Sequence, residues 1–397
     1  MMSVWSSLVG QDAAAAKLRE AAASARAIVA ARGGGHASDE ARSMSHAWLI
    51  TGPPGSGRSV AARAFAAALQ CTGEAPGCGR CPGCRTTMAR TNADVLFAAT
   101  ETSIINVDTA RSLVLQAQSS PSQGLWRVIV VEDADRLGES GANALLKAIE
   151  EPPEHTVWLL CAPSPEDMIA TIRSRCRHLG LRVPTASAVA DLLVREGVAT
   201  PQVALDAARA AQSHIGLARA LARDPQMRER RRNIITAPAS VRSVGEAVMA
   251  ADRLLETAKA QADAQVSERN AREKAELLRQ LGMEEGESAT KASRTMLRQL
   301  EEDQKRRSKR ALTDAIDRAL IDLLAIYRDV LMVQVGGEGE LINTDLEDLV
   351  RAIAGESTAS QTLARVDHIE TARRRLVSNG NPLLVLEDMA ISLRPQA

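Results

Sequence analysis

The chain has 397 residues, of which 45% are hydrophobic and 25% charged, so it can form two or three domains with cores of their own. Basic and acidic residues both total 49, and the zero formal net charge excludes a strong overall positive potential that would favour nucleic-acid binding. Aromatic residues are only 2%, which argues against single-strand recognition by base stacking. The N-terminal stretch has no secretory pattern and no apolar run reaches roughly 20 residues, so we expect a cytoplasmic protein.

The first 185 residues alternate short apolar runs with helical patterns. Helical periodicity follows a glycine-rich stretch after residue 51 and recurs over residues 106–118 and 139–151. This alternation is typical of a mostly parallel sheet covered on both faces, so the sequence predicts an α/β domain over residues 1–185. The predicted strands are Ala47–Thr51, Asp94–Ala99, Trp126–Asp133 and Thr156–Pro163.

Strand patterns stop after Pro184. We expect a small helical domain over residues 186–235 and an all-helical domain over residues 236–397. Within the latter, residues 258–310 are rich in charge and poor in large apolar residues, with a predicted break at Gly282–Ser293. A pair of solvated helices is the simpler interpretation of this charged insertion, and a partner-binding antenna is the alternative.

The stretch GPPGSGRS resembles a phosphate-binding loop of the form G-x-x-x-x-G-K-[ST]. Gly52, Gly57 and Ser59 fall in register, and Gly55 adds a further glycine inside the loop. The lysine position holds Arg58, whose longer planar guanidinium is not equivalent to a lysine ammonium. The pattern therefore predicts the fold of a nucleotide site and leaves nucleotide turnover doubtful.

Two carboxylates follow the apolar strand in VIVVEDAD. Phosphate-loop ATPases end this strand with Asp and then Glu, whereas this chain has Glu132 and then Asp133. Moving each carboxylate by roughly 1 Å can cost on the order of a hundredfold in rate. Rescue by Asp135 or by a rearranged water is the alternative. The residues of this degenerate nucleotide site would be Gly52, Gly55, Gly57, Arg58, Ser59, Glu132 and Asp133, and whether ATP and Mg²⁺ bind stays open.

Four cysteines cluster directly after the helix that follows the loop. They are Cys71, Cys78, Cys81 and Cys84. Two C-x-x-C turns with Gly and Pro between them suit tetrahedral zinc in a closed structural site. A redox or iron–sulfur role is the alternative. The remaining cysteines, Cys161 and Cys176, are expected to pack in the protein interior.

The motif TIRSRC, Thr171 to Cys176, follows the last predicted strand. An arginine placed in this way can reach a neighbouring subunit and stabilise charge on its γ-phosphate. Arg175 is the candidate for that role, and an ordinary surface arginine is the alternative.

With these motifs in hand, about the first 235 residues resemble the δ′ (delta-prime) family of bacterial DNA polymerase III clamp-loader subunits, which are AAA+ proteins. The resemblance runs through Val4–Gln11, the glycine loop, the four-cysteine insertion, VVEDADRL and TIRSRC. Its most specific part is the long stretch NALLKAIEEPPEHTVWLL. The C-terminal helices correspond more loosely to the family's collar domain.

The resemblance implies a three-domain subunit of a five-membered ring: an AAA+ domain, a helical lid and a collar. The ring partners would be ATP-hydrolysing γ/τ subunits and a δ subunit, and the ring would load the β sliding clamp onto primed DNA. The chain would be a stator without autonomous activity, within the clamp-loading ATPase of the polymerase holoenzyme. Arg175 would be the arginine finger in trans, and the four cysteines the zinc ligands.

A γ/τ-like ATPase subunit is the alternative within the same resemblance. Those ATPases keep the lysine, the Asp–Glu order and a threonine in the sensor strand. At these positions this chain has Arg58, Glu132–Asp133 and Ala162–Pro163. A sensor arginine is expected where Ala218 stands, with Arg219 one residue away. These departures favour the non-hydrolysing interpretation without excluding nucleotide binding.

Direct reading of DNA sequence is a further, weaker hypothesis. The basic runs Arg228–Arg232 and Lys305–Arg310 are more simply interpreted as solvated helix faces, although tracking of phosphates needs only a few such charges.

Overall fold

The computed structural model describes residues 3–31, 43–98, 105–281 and 291–394. The chain divides into two compact units, Met1–Ala222 and Arg223–Ala397. The predicted three-part division into residues 1–185, 186–235 and 236–397 stays a prediction. Most of the predicted break at Gly282–Ser293 lies outside the described residues.

A five-stranded parallel sheet forms the centre of the first unit, with the strands in the order β2-β3-β4-β1-β5. The strands are β1 (Ala47–Thr51), β2 (Val95–Ala98), β3 (Arg127–Val131), β4 (Thr156–Ala162) and β5 (Arg177–Gly180). Every residue of β1 and β4 is buried, which explains their unbroken apolar sequences.

Helices cover the sheet on both faces, and each face has its own apolar core. One face is covered by α1 (Asp12–Ala31) and α2 (Arg58–Leu69), with Trp48 and Phe65 in edge-to-face contact. The other face is covered by α4 (Val107–Ala117) and α5 (Glu139–Glu150). The short helix α3 (Pro82–Met88) lies between α2 and β2 in the sequence. The predicted parallel α/β fold is confirmed.

Strand β5 was not among the predicted strands. It pairs in parallel with β1, with Trp48 to Thr51 opposite Arg177 to Gly180. Leu179 is buried while the other three residues are exposed, so this edge strand has no apolar run to reveal it. The predicted strand ends were also one or two residues too long at β3 and β4, and Ala99 lies outside the described residues.

After β5 the first unit becomes helical. The helices after β5 are α7 (Ala186–Arg195), α8 (Pro201–Ala210) and α9 (Ile215–Arg223). One short helix, α6 (Ala170–Arg173), precedes β5. Thr185 caps α7 by accepting a hydrogen bond from the Ala188 N–H at 3.2 Å, and Pro201 opens α8 at the position where no N–H is needed.

The described part of the second unit is helical. It contains α10 (Pro225–Ser240), α11 (Val244–Gln280), α12 (Lys291–Gln334), α13 (Glu347–Glu356), α14 (Ala359–Val377) and α15 (Pro382–Ser392). The C-terminal half of α12 supplies Ile316, Leu320 and Leu323 to an apolar core shared with the other helices. None of the helices in the described ranges combines the length and apolar character needed to cross a bilayer.

The charged insertion forms an antiparallel helical hairpin from parts of α11 and α12. Arg307 donates to Asn270 at 2.7 Å and to Glu273 at 2.8 Å, while Ala311 packs near Ala262 farther along the pair. Small apolar residues and the Arg307 contacts lie between the helices, while most charged residues of the hairpin are exposed, in agreement with the prediction of solvated helices. A partner-binding antenna stays the alternative prediction.

Arg231 departs from the prediction that the run Arg228–Arg232 is a solvated face. Its guanidinium donates to Asp322 at 2.9 Å and to Asn343 at 2.7 Å, and only 10% of its side chain is exposed. Burial raises the pKa of Asp322 although Arg231 opposes this effect. Arg231 therefore anchors α10 to α12 within the second unit.

Candidate functional site

The candidate nucleotide site lies where β1 ends and α2 begins. The loop Gly52–Gly57 connects them, and Arg58 is the first residue of α2, followed by Ser59 in its first turn. Gly55 and Gly57 both have a φ of 89°, a conformation that side chains disfavour. The sequence thus folds into the shape of a phosphate-binding loop at the positive end of a helix dipole.

Arg58 is turned back onto its own loop. Its guanidinium donates a hydrogen bond to the backbone carbonyl of Gly52, the first residue of the loop. In a phosphate-binding loop the corresponding lysine reaches outward to the β- and γ-phosphates. Arg58 therefore places its charge on the protein backbone.

The first unit packs closely around this loop. A Cβ atom on Gly55 would lie 3.0 Å from the Cα atom of His214, just before α9, so the helical segment approaches the loop directly. The buried Gln11 side chain donates to the carbonyl of Ser56 at 3.1 Å and to that of Arg182 at 2.5 Å. Gln11 therefore ties the loop to the segment that follows β5.

The two acidic residues follow β3, as predicted. Glu132 forms an ion pair with Arg90, with 2.5 Å between the Glu132 Oε1 and the Arg90 Nη2. Arg63 is influenced by the same pair. Burial and the Arg90 guanidinium lower the pKa of Arg63, and Glu132 opposes this effect. Glu132 is thus paired with a guanidinium of the same chain.

The thiol of Cys161 on β4 is buried and is influenced by four charged residues. Burial raises the pKa of Cys161 to about 12, with Glu132, Asp133 and Asp135 raising it further and Arg58 opposing them. Burial also raises the pKa of Asp135, reinforced by Asp133. The loop arginine and the β3 carboxylates thus act on the same buried groups, and their use as one nucleotide site stays a prediction. Cys161 is fully buried, which confirms that it packs in the core.

Both predicted sensor positions lack a polar group. Ala162, at the end of β4, and Ala218, on α9, are fully buried. Arg219 makes a two-pronged contact with Glu196, with both N–O distances at 2.9 Å. Arg219 is therefore engaged within the helical part of the first unit.

The four cysteines form a compact cluster. The Sγ atoms of Cys71, Cys78, Cys81 and Cys84 all lie within 4.8 Å of one another. The Cys71 and Cys81 sulfurs are 3.8 Å apart, which matches the ~3.8 Å edge of a tetrahedron with 2.3 Å zinc–sulfur bonds. The cluster could therefore bind a metal ion, and its donor set is the one that zinc prefers.

Backbone N–H groups point at these sulfurs. The N–H groups of Cys78, Cys81 and Cys84 donate to the preceding cysteine sulfur of the cluster at 3.4–3.5 Å. Burial opposes ionisation of Cys81, but N–H donors from Cys84 and Thr72 hold its pKa at about 6. Gly77 and Gly79, with φ of 84° and 76°, make the turn between the sulfurs.

The N-terminal segment holds this cysteine module against the rest of the first unit. The Trp5 indole N–H donates to the Pro76 carbonyl at 3.0 Å, and the Val4 N–H donates to the Gly77 carbonyl at the same distance. Arg26 on α1 donates to the Cys71 carbonyl at 2.9 Å. The module is thus a fixed part of the fold.

Arg175 lies at the opposite end of the parallel strands from the glycine loop. It precedes β5, whereas the loop follows β1, and these two strands run in parallel. Its guanidinium donates to Glu150 and, at 2.8 Å, to the Thr171 carbonyl, and 38% of its side chain is exposed. Arg175 is therefore at the surface of the first unit, away from the chain's own loop.

The sequence did not predict the contact of Arg90 with Glu132 or the contact of Gln11 with the glycine loop. Gln11 ends the stretch VWSSLVGQ, which carried the resemblance but gave no hint of a contact with Ser56. Arg90 has no sequence signal, because it meets Glu132 only through the fold, 42 residues away.

The strand order and the glycine loop between β1 and α2 define a P-loop α/β domain of the AAA+ type. Residues 36–185 match the family model described as DNA polymerase III, delta subunit. Among curated proteins, the delta-prime subunit of Escherichia coli K12 is 35% identical over 191 residues, 47% of this chain and 57% of that protein. The delta-prime subunit of Pseudomonas aeruginosa PAO1 is 35% identical over 166 residues, 41% of this chain and 51% of that protein.

The gamma/tau subunit of Mycobacterium tuberculosis H37Rv is 32% identical over 209 residues, 46% of this chain and 36% of that protein. The chain thus spans about half or less of the length of these relatives. Over these residues the chain is similar to clamp-loader subunits of bacterial DNA polymerase III. The family match and the delta-prime relatives support the delta-prime subunit in particular.

Proposed function

We propose that this chain is a delta-prime-type stator of the DNA polymerase III clamp loader, without ATP hydrolysis of its own. The observation that carries the proposal is the position of Arg58, whose guanidinium bonds the Gly52 carbonyl of its own loop. The pairing of Glu132 with Arg90 and the alanine at position 162 support it. A site with its charges directed at the protein is poorly suited to polarise a γ-phosphate.

In this role the chain would contribute Arg175 to a neighbouring subunit. Arg175 is exposed and lies at the end of the strands opposite to the chain's own loop, and both features support action in trans. An arginine finger stabilises the charge that develops on the transferred phosphoryl group. The neighbour would be an ATP-hydrolysing gamma/tau subunit in a five-membered ring that also contains delta.

The assembled ring would open the β sliding clamp and close it around primed DNA in the cytoplasm. We further propose three domains: the AAA+ domain to residue 185, the lid over residues 186–235 and the collar beyond. The four cysteines would hold one structural zinc ion that braces the module between α2 and β2.

A gamma/tau-like ATPase subunit is the second candidate. The gamma/tau relatives favour it, since the match to the M. tuberculosis protein is longer than that to either delta-prime subunit described above. Co-purification with gamma/tau and delta, followed by an ATPase assay with and without this chain, separates the candidates. A stator raises the ATPase rate of its partners and hydrolyses no ATP by itself, whereas an ATPase subunit hydrolyses ATP alone.

A further inference from the structure

The end of α3 has an unusual residue at the position that reverses the chain. The Thr91 N–H donates to the Thr86 carbonyl at 2.9 Å, and the Arg90 N–H donates to the Thr87 carbonyl at 3.0 Å. This pattern is the Schellman motif, in which the left-handed residue is usually glycine. Here that residue is Arg90, with a φ of 60°. A residue with a side chain is less favourable than glycine in this conformation, so the contacts of the Arg90 side chain are of interest.

The side chain of Arg90 extends from the cysteine module to the end of β3. Its guanidinium lies 5.0 Å from the centre of the Phe97 ring on β2 and pairs with Glu132 at 2.5 Å. Only 12% of the Glu132 side chain is exposed, so the ion pair is shielded on the carboxylate side. Two of the four clustered cysteines, Cys81 as the cap and Cys84 within the first turn, begin α3, and Arg90 follows the C-cap of the same helix.

Glu132 is the first carboxylate after β3, the position that supports Mg²⁺ in ATP-hydrolysing relatives of this fold. We infer that Arg90 is a positioning residue that acts as an internal counter-ion: its guanidinium occupies Glu132 in place of a divalent cation and holds that carboxylate in a metal-free arrangement. The cysteine module fixes Arg90 for this purpose through α3. The pairing deepens the proposed non-hydrolysing function, on which its biological meaning rests.

Mn²⁺ binding to the purified full chain tests the inference, because Mn²⁺ prefers the oxygen ligands of carboxylates to thiolates. Arg90→Gly suits the left-handed backbone, so this variant is expected to fold, which circular dichroism checks. Removing a unit charge about 5 Å from a divalent ion in water-like surroundings should raise Mn²⁺ affinity roughly tenfold or more. Arg90→Lys keeps the charge and should bind Mn²⁺ as weakly as the wild type.

Two controls identify the carboxylate. Arg85→Ala removes an exposed positive charge from the same helix and should leave Mn²⁺ affinity unchanged. The double variant Arg90→Gly with Glu132→Gln should lose the gain, because the carboxylate is then absent. Equal affinity in the wild type and Arg90→Gly, or a gain that persists in the double variant, would overturn the inference.

These results are independent of the proposed function. Magnesium-dependent ATP hydrolysis by the wild-type chain would contradict the stator, whereas the Mn²⁺ comparison would still report whether Arg90 occupies Glu132.

Discussion

Arg175 donates a hydrogen bond to the carboxylate of Glu150, at the end of the parallel strands opposite to the glycine loop. The contact joins the end of α5 to the turn before β5, so the guanidinium is held at the surface. A pre-oriented guanidinium loses less freedom when it meets an anion than a mobile one does. This geometry suits an arginine that serves a neighbouring subunit.

Arg175→Ala is expected to leave assembly with gamma/tau and delta intact and to lower the DNA-stimulated ATPase of the complex. A finger contributes on the order of 10³ or more at the site it serves, and this chain would serve one gamma/tau subunit of the ring, so the rate of the whole complex should fall by about a third or more. Steady-state ATPase assays of the reconstituted complex measure this change. Arg173→Ala, two residues away and also exposed, is the matched control and should retain the full rate. An unchanged rate for Arg175→Ala would remove the finger assignment.

The cysteine module should contain about one zinc ion per chain by elemental analysis. Replacing Cys78 and Cys81 by Ser should abolish the bound zinc and lower the melting temperature by about 5 °C or more, since structural metal binding contributes directly to folding. Cys176→Ala, outside the cluster, should keep the zinc. A wild-type chain purified without zinc, or a double variant that retains it, would contradict the assignment.

Asp94 stabilises the start of β2 in a pH-dependent way. Burial opposes its ionisation, but hydrogen bonds from Ser122, Gln123 and Gly124 hold its pKa below the usual value. Because the folded pKa is lowered, the stabilisation is present above the unfolded pKa of about 3.9 and is lost as the pH falls through the folded value.

Asp94→Asn should therefore lower the free energy of unfolding by about 2–3 kcal/mol at pH 7, and the difference from wild type should shrink below about pH 4. Urea denaturation at several pH values measures both effects. Asp108→Asn, at a carboxylate with 84% of its side chain exposed, is the control and should change little. A pH-independent loss at Asp94 would show that packing, and not charge, is responsible.

The second unit contains a buried ion pair that can be compared with an exposed one on the same helix. Arg231→Met leaves Asp322 buried without its partner and should destabilise the fold by about 3–5 kcal/mol. Arg232→Met removes a more exposed contact with Asp345 and should cost less than about 1 kcal/mol. Denaturation curves that rank the two variants equally would contradict the anchoring role of Arg231.

The sequence predicted the buried strands and the four-cysteine cluster because both depend on local patterns. Strand β5 was not predicted, because only Leu179 among its four residues is buried and the strand therefore has no apolar run. Its place in the sheet depends on tertiary pairing with β1. The motifs assigned Arg58 and Glu132 to one nucleotide site, and that assignment stays a prediction. The direction of each side chain could not be predicted, since Arg58 bonds its own loop and Glu132 meets Arg90 through tertiary contacts.

ATP turnover by the purified chain tests the central claim most directly. We expect no magnesium-dependent hydrolysis above background by the chain alone, together with a higher rate when it is added to gamma/tau and delta. Arg58→Ala should leave the rate of the complex unchanged, since Arg58 bonds its own loop. Robust hydrolysis by the isolated chain that is lost in Glu132→Gln would contradict the stator and identify an ATPase subunit.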